Sequence, residues 1–333
     1  MMRKLLGLLL LPVLIALLPL LLLLLVYRGK TYHRASGRQP YTVPHTAPLE
    51  LHFTPVSLCS SKVALCLEES GLEYRRVELD IGHFGRFDQL TDAFLKMNPN
   101  ACVPVLVHDG HPVLESHDII EYVCSELGAD HLLPAAGDSA GLKAMEHWTE
   151  RGSFVDMSSG PEKHLGAAVA LLSAPLFGID KAYMHLGTLL KALPRHPQPK
   201  IIVLKIINWF LGPKLPPASL MEPAVEGLQR GMQEMAAQLS DGRSWLAGER
   251  FTLADITWAA NFARLGRVGA LDYFLAPHAE LQAYWQRLSE RPAYDAVFRQ
   301  PLRHGEEMRR LAAIASAAKN RSREVGVREA YGL

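Results

Sequence analysis

The sequence predicts an α/β domain followed by an all-α domain, with an apolar segment in front of both. Three observations carry this. Between Leu49 and Leu127, alternating apolar runs exchange with helical ones in the order βαβ, α, ββα. After "PAAGD" the apolar spacing is helical to the end of the chain. Ahead of them, Leu5 to Val26 contain no charged residue.

That first run, at about 1.5 Å per residue, is long enough to cross a bilayer core of roughly 30 Å. A cleaved signal peptide would have a shorter apolar stretch ending in a small-x-small site; here the run meets "VYRGKTYHR" instead. Residues 1–27 are therefore read as an uncleaved transmembrane anchor that contacts lipid through residues 5–26. Arg3 and Lys4 precede the span, and Arg28, Lys30, Arg34 and Arg38 follow it, which places the bulk of the chain in the cytosol. Residues 28–48 are polar and contain Gly37, Pro40, Pro44 and Pro48, the composition of a linker.

The α/β domain is expected over 49–130. "LELHF" alternates as a strand, and "SSKVALCLEESG" is a helix with Val63, Cys66 and Leu67 on one side and Gly71 as its stop. "YRRVELD" is a second strand, and "FDQLTDAFLKMNP" a short helix ended by Pro99. "VPVLVHDGHPVLES" reads as two strands around the Asp109-Gly110 turn. "SHDIIEYVCSELG" is a helix capped by Ser116, with Ile119, Ile120, Val123 and Leu127 at helical spacing. A βαβ unit joins parallel strands and a hairpin adds antiparallel ones, so the expected sheet is mixed and four-stranded.

The helical domain is expected over 138–300, with an insert at about 160–220 and a tail at 301–333. Candidate helices are 138–158, 162–191, 199–211, 222–240, 253–267 and 277–290. "RFTLADITWA" marks a helix start: Thr252 and Asp255 form a capping box, with Phe251 and Ile256 as its hydrophobic staple. Ile201 to Leu211 carry one charge, Lys205; the stretch is too short to span a bilayer and reads either as a buried helix or as one lying on a membrane.

The net charge of +1 gives no field for nucleic acid. The four cysteines lack CxxC spacing, and the histidines lack HExxH spacing, so no metal is expected. Cys66 and Cys124 fall on apolar helix faces as buried thiols of a reducing compartment. Candidate chemistry lies in three loops. Ser57, Cys59 and Ser60 open the first helix, where Ser57 or Ser60 can serve as its cap and where N–H groups and the positive dipole end favour an anion. Pro104 begins a strand, where a cis bond would turn the Val103 backbone outward. Glu115 and Ser116 start the next helix, suited respectively to an amine and to a carboxylate. Together they suit a small peptide bearing both groups.

"SLCSSKVALCLEESGLEYRRVELD", "FLKMNPNACVPVLVHDGHPVLESHDIIEYV" and "SWLAGERFTLADITWA" together resemble the soluble glutathione transferase family over about residues 49 to 300. The resemblance implies a thioredoxin-like N-terminal domain and a helical C-terminal domain, with glutathione as co-substrate. It implies glutathione binding at Val103, Pro104, Glu115 and Ser116, and at His83 in the loop after the second strand. It makes Ser57 the hydroxyl that stabilises the glutathione thiolate, with Cys59 or Ser60 as alternatives. Phe53 stands where tyrosine-type members have their Tyr, and Cys102 where the family often has Gln. The chain is similar to etherase-type bacterial and fungal transferases and to the ganglioside-induced differentiation-associated protein group. The implied function is conjugation of glutathione to a hydrophobic electrophile, or displacement of its leaving group, in a homodimer. The alternative is a membrane-anchored binding or scaffold protein of low activity. From the residues alone, Lys62 is expected as a solvated helix residue and Cys102 as a small space-filler.

Overall fold

The computed structural model describes residues 34–82, 85–154, 164–174, 184–211 and 218–299. Among the described residues no helix is long and apolar enough to cross a membrane. The expected span at 5–26, His83 and the tail at 301–333 lie outside the described residues. The chain divides into two compact units: Ser36–Leu79, Val103–Phe177 and Leu215–Leu333 form the larger; Met1–Ala35, Asp80–Cys102 and Gly178–Lys214 form the smaller.

The strands are β1 (Gly37–Arg38), β2 (Leu49–Phe53), β3 (Arg75–Glu78), β4 (Val105–His108) and β5 (His111–Leu114), and all belong to the larger unit. The main helices among the described residues, in chain order, are α1 (Leu58–Ser70), α2 (Asp92–Met97), α3 (Ser116–Glu126), α4 (Ser139–Arg151), α5 (Leu165–Leu172), α6 (Leu186–Ala192), α7 (Pro199–Leu211), α8 (Ala218–Leu239), α9 (Leu253–Arg267), α10 (Leu271–Leu275) and α11 (Ala279–Ser289).

The sheet runs β1-β5-β4-β2-β3, with β2 and β3 parallel and the other pairs antiparallel. It has one strand more than expected. β1 lies inside the stretch read as linker, and its two residues, opposite Leu114 and Val113, are too few to show a period. All of β2 is buried, including its polar members Glu50 and His52. Glu50 is satisfied by N–H bonds from Thr46 (2.7 Å) and Ala47 (3.0 Å) and by Arg75 at 3.1 Å. Asp109 (φ 47°) and Gly110 (φ 81°) make the tight turn the sequence called for. A Cβ on Gly110 would meet the His45 ring at 3.0 Å.

α1 is bounded as expected, by Ser57 as N-cap and by Gly71 at φ 71° as C-cap. Its face is wider than the periodicity suggested, since Ser60 through Leu67 are all buried. Lys62 is 4% exposed, so the reading of a solvated lysine is corrected. Ser116 is likewise not the cap of α3; Glu115 takes that place, with Ser116 as the first helical residue. The buried α9 is anchored by the capping box. Asp255 accepts from Thr252 N (2.8 Å), Leu246 N (3.0 Å) and the Tyr284 hydroxyl (2.7 Å). Phe251 and Ile256, the staple, are both buried.

The stretch expected as one helix over 162–191 yields α5 in the larger unit and α6 in the smaller. The smaller unit has its own core of Leu90, Ala101, Met184, Leu189, Ile202, Val203 and Ile206. Arg195 ties it together by donating to Leu90 O at 2.9 Å and pairing with Asp92. α7 buries Ile202, Val203 and Ile206 in this core, while Ile201 and Phe210 stay exposed.

Candidate functional site

Strand register brings three of the expected loops to one edge of the sheet. Val105 pairs with both His52 and Leu114, so the end of β2, the start of β4 and the end of β5 lie side by side. The segment Thr54–Ser57, the Val103–Pro104 peptide and the Glu115–Ser116 pair extend from these three ends. The Val103–Pro104 bond is cis.

Ser57 has extended backbone (φ −86°, ψ 126°), and its Oγ accepts the Ser60 N–H at 3.2 Å. That bond uses a lone pair and leaves the hydroxyl proton, which goes to no atom among the described residues. The side chain is half-buried, and Cys59, in the first turn, is also half-buried. Ser60 is different: it is fully buried and accepts from Thr54 N at 3.4 Å. The structure therefore presents Ser57 and Cys59 at the helix entrance and turns Ser60 into the loop.

Glu115 is half-buried and has φ 71°, a left-handed value that costs a side chain roughly 1–3 kcal/mol unless its surroundings impose it. Here β5 on one side and α3 on the other hold it, with Ile119 N donating to its carbonyl at 2.9 Å. The Ser116 hydroxyl enters no bond among the described residues and stands at the N-terminus of α3. Cys102 is half-buried, and its thiol donates to Asn100 O at 3.2 Å, so it does more than fill space.

Two functional groups escaped the sequence reading. Arg264, on α9, is 3% exposed and donates Nη2 to Val56 O at 2.5 Å. Arg267, one turn on, donates Nη1 to Pro55 O at 3.2 Å. Both grip the loop that leads into Ser57. Burial, reinforced by Arg267, pulls the Arg264 guanidinium down to about 9, which leaves it charged at neutral pH. Burial also lowers the Lys62 ammonium, against the opposing pull of Cys59, Cys66, Glu121 and Glu115. The mouth of α1 thus combines a free hydroxyl proton, a helix N-terminus and buried cations, all of which favour an anion. The available signal was two arginines three residues apart at the end of a helix that is otherwise mostly apolar. Among the described residues no cluster of histidine, cysteine and carboxylate side chains could hold a metal.

A cis-proline edge of a mixed sheet backed by a helical domain is the architecture of a thioredoxin-like transferase, and the comparisons agree. The family models "Glutathione S-transferase, N-terminal domain" and "Glutathione S-transferase, C-terminal domain" match residues 56–126 and 202–292. Both models are of the glutathione S-transferase family, whose members use glutathione as co-substrate. It is 26% identical over 251 residues to tetrachloro-p-hydroquinone reductive dehalogenase of Sphingobium chlorophenolicum, covering 75% of this chain and 95% of that protein. To glutathione S-transferase 3 of Zea mays it is 28% identical, covering 74% of this chain and 92% of the relative. Among solved structures, the β-etherase LigF of Sphingobium sp. strain SYK-6 superposes with a TM-score of 0.60 at 24% identity, over 76% of this chain and 99% of that one. Glutathione S-transferase-I bound with lactoylglutathione gives 0.56 at 20% identity, over 76% of this chain and 99% of that one.

Proposed function

We propose that this protein is a glutathione transferase in which Ser57 stabilises the glutathione thiolate for attack on a hydrophobic electrophile. The observation that carries the reading is the Ser57 hydroxyl: its acceptor side caps α1 while its proton has no acceptor among the described residues. The family match and the named relatives support glutathione as the co-substrate. In this reading the outward Val103 backbone pairs with the tripeptide main chain, Glu115 meets its amino group, and Ser116 with the first N–H groups of α3 meets a carboxylate. The sulfur is thereby directed to the mouth of α1.

A free thiol has a pKa of about 8.5. A hydroxyl donor, the α1 N-terminus and the charge of Arg264 each favour the thiolate over the thiol. The thiolate then attacks a carbon bearing a leaving group; the C–S bond forms, and the leaving group departs with the bonding electron pair as an anion. Ser57 donates a hydrogen bond throughout and forms no covalent bond. A hydrophobic electrophile fits the uncharged run from Leu5 to Val26, which in this reading anchors the enzyme on the cytosolic face of a membrane where such compounds concentrate. Homodimerisation follows only by analogy with the family.

The test is retention on immobilised glutathione followed by a conjugation assay with an aryl halide. The wild-type protein is expected to bind and turn over. Ser57→Ala, which also removes a cap contributing about 1 kcal/mol, is expected to keep its fold and to lose about 10–100-fold in kcat/KM. Undiminished turnover in folded Ser57→Ala removes Ser57 from the mechanism and makes Cys59 the donor to examine.

A further inference from the structure

Residues 98–102, directly ahead of Val103, are held by side chains rather than by regular structure. Asn98 is 1% exposed and bridges them: its Oδ1 accepts Asn100 N at 2.9 Å, and its Nδ2 donates to Cys102 O at 2.8 Å. The Cys102 thiol donates in turn to Asn100 O at 3.2 Å. Between them Ala101, 3% exposed, has φ 54°. A left-handed alanine costs about 1–3 kcal/mol, so the loop keeps this shape only because its surroundings impose it.

Asn100 joins the loop to a distant part of the chain. It is fully buried, and its side-chain amide clasps the backbone of Ala35. Oδ1 accepts Ala35 N at 3.0 Å, and Nδ2 donates to Ala35 O at 2.7 Å. The two bonds fix the orientation of the amide, since a flip would set oxygen against oxygen and nitrogen against nitrogen. One side chain thus pairs with a backbone residue much as a neighbouring strand would, through one donor and one acceptor. Ala35 lies within the stretch expected as linker, just ahead of β1.

The effect passes along the chain to Val103. Cys102 O and Val103 N belong to one planar peptide group, so a fixed Cys102 oxygen fixes the plane from which Val103 continues. The bonds made by Asn98 and Cys102 lie within the loop and would move with it. The clasp on Ala35 is a hold from outside the loop.

We propose that Asn100 is a positioning residue for glutathione: by clasping Ala35 it sets the Val103 backbone with which the tripeptide main chain pairs. Glutathione affinity then depends on a segment ahead of the first strand. This role presupposes that Val103 contacts glutathione, and the test separates the two.

The full chain is compared with Asn100→Ala, with Ala35→Pro, which removes the N–H that Oδ1 accepts, and with the double variant. Glutathione binding is measured by calorimetry, and turnover with an aryl halide at saturating glutathione. A loop released to hold its binding shape only about 10–20% of the time raises the apparent Kd about 5–10-fold. Each single variant is expected to show that rise, with kcat within about twofold of wild type, because Ser57 is untouched. The double variant should bind within about twofold of the weaker single one, since both substitutions break the same clasp. Arg195→Met is the stability control, loosening the smaller unit at Leu90 O and Asp92 instead. Its Kd should stay within about twofold of wild type. Ala35→Pro carries the test if Asn100→Ala fails to fold. An unchanged Kd in either folded single variant, a loss in kcat in place of Kd, additive effects in the double variant, or an equal rise in Arg195→Met overturns the positioning role and leaves the glutathione reading intact. Folded wild-type protein that gives no heat of binding with glutathione removes the Val103 contact, and the role of Asn100 with it.

Discussion

Replacing Arg264 with Met tests whether α9 tunes the site at the mouth of α1. The substitution removes the 2.5 Å bond to Val56 O and leaves that buried carbonyl without its donor, a loss of about 1–3 kcal/mol. Against this, the guanidinium is itself costly to bury, as its pKa lowered to about 9 records, and Met has no such cost. The two effects partly cancel. The expected net loss is about 1–2 kcal/mol, or roughly 3–6 °C in Tm. The effect on the sulfur does not cancel. If the separation is taken as about 8 Å, an effective dielectric of about 20 gives a thiolate stabilisation of about 2 kcal/mol, or roughly 1.5 pKa units. The bound glutathione thiol should therefore titrate about 1–2 units higher in the variant, and kcat/KM at pH 6.5 should fall about 10–30-fold. The thiolate's ultraviolet absorbance followed against pH, with and without the substitution, measures the first directly. Arg264→Lys should restore part of the shift, since it keeps the charge and loses the fork. A thiol pKa that stays put in Arg264→Met, in protein that still binds glutathione, would refute the electrostatic role.

Two further predictions concern the frame that holds the site. Burial raises the Glu50 carboxyl, but the Thr46 hydroxyl and N–H, Arg75 and the Ala47 N–H outweigh it and hold the group at about 2, below its usual 4.5. Its stabilisation is therefore complete above pH 4.5 and is lost as pH falls through about 2. Glu50→Gln should be less stable by about 2 kcal/mol at pH 7, and the gap in chemical denaturation should narrow steadily below pH 4.5. A gap independent of pH would show that the carboxylate charge plays no part. Asp255→Ala leaves the Leu246 N–H, the Thr252 N–H and the Tyr284 hydroxyl buried without an acceptor, which should cost about 3–5 kcal/mol. Burial raises the Asp255 carboxyl to about 6, above its usual 3.8, so the proton-linked part of its contribution is full below pH 3.8 and disappears as pH rises through 6. Scanning calorimetry of both proteins at pH 4 and pH 7 should find the larger difference in Tm at pH 4, and a larger one at pH 7 would count against that sign.

What the sequence made legible was what neighbouring residues decide. The Ser57 cap, the Gly71 stop, the Asp109-Gly110 turn and the box at Thr252 and Asp255 each act across a few positions, and each stands where expected. The three loops with candidate chemistry were legible because they sit at strand and helix ends. What escaped depends on distance along the chain. The bond from Arg264 to Val56 joins residues 208 apart, and no local pattern announces it. Lys62 follows the serines in the first turn of α1 and looks solvated until α9 is packed beside it. β1 consists of two residues recruited by β5, and nothing in "SGRQP" distinguishes them from linker.

The core of the smaller unit has a consequence for its vulnerability to proteases. Leu90 and Ala101 come from the first excursion of the chain, while Met184, Leu189 and Ile202 come from the second, so neither portion can bury its apolar side chains alone. A single cut within the second excursion that frees its helices strips the cover from the first as well. Trimming this unit by deleting one excursion would leave a sticky remnant, and a clean excision has to remove both.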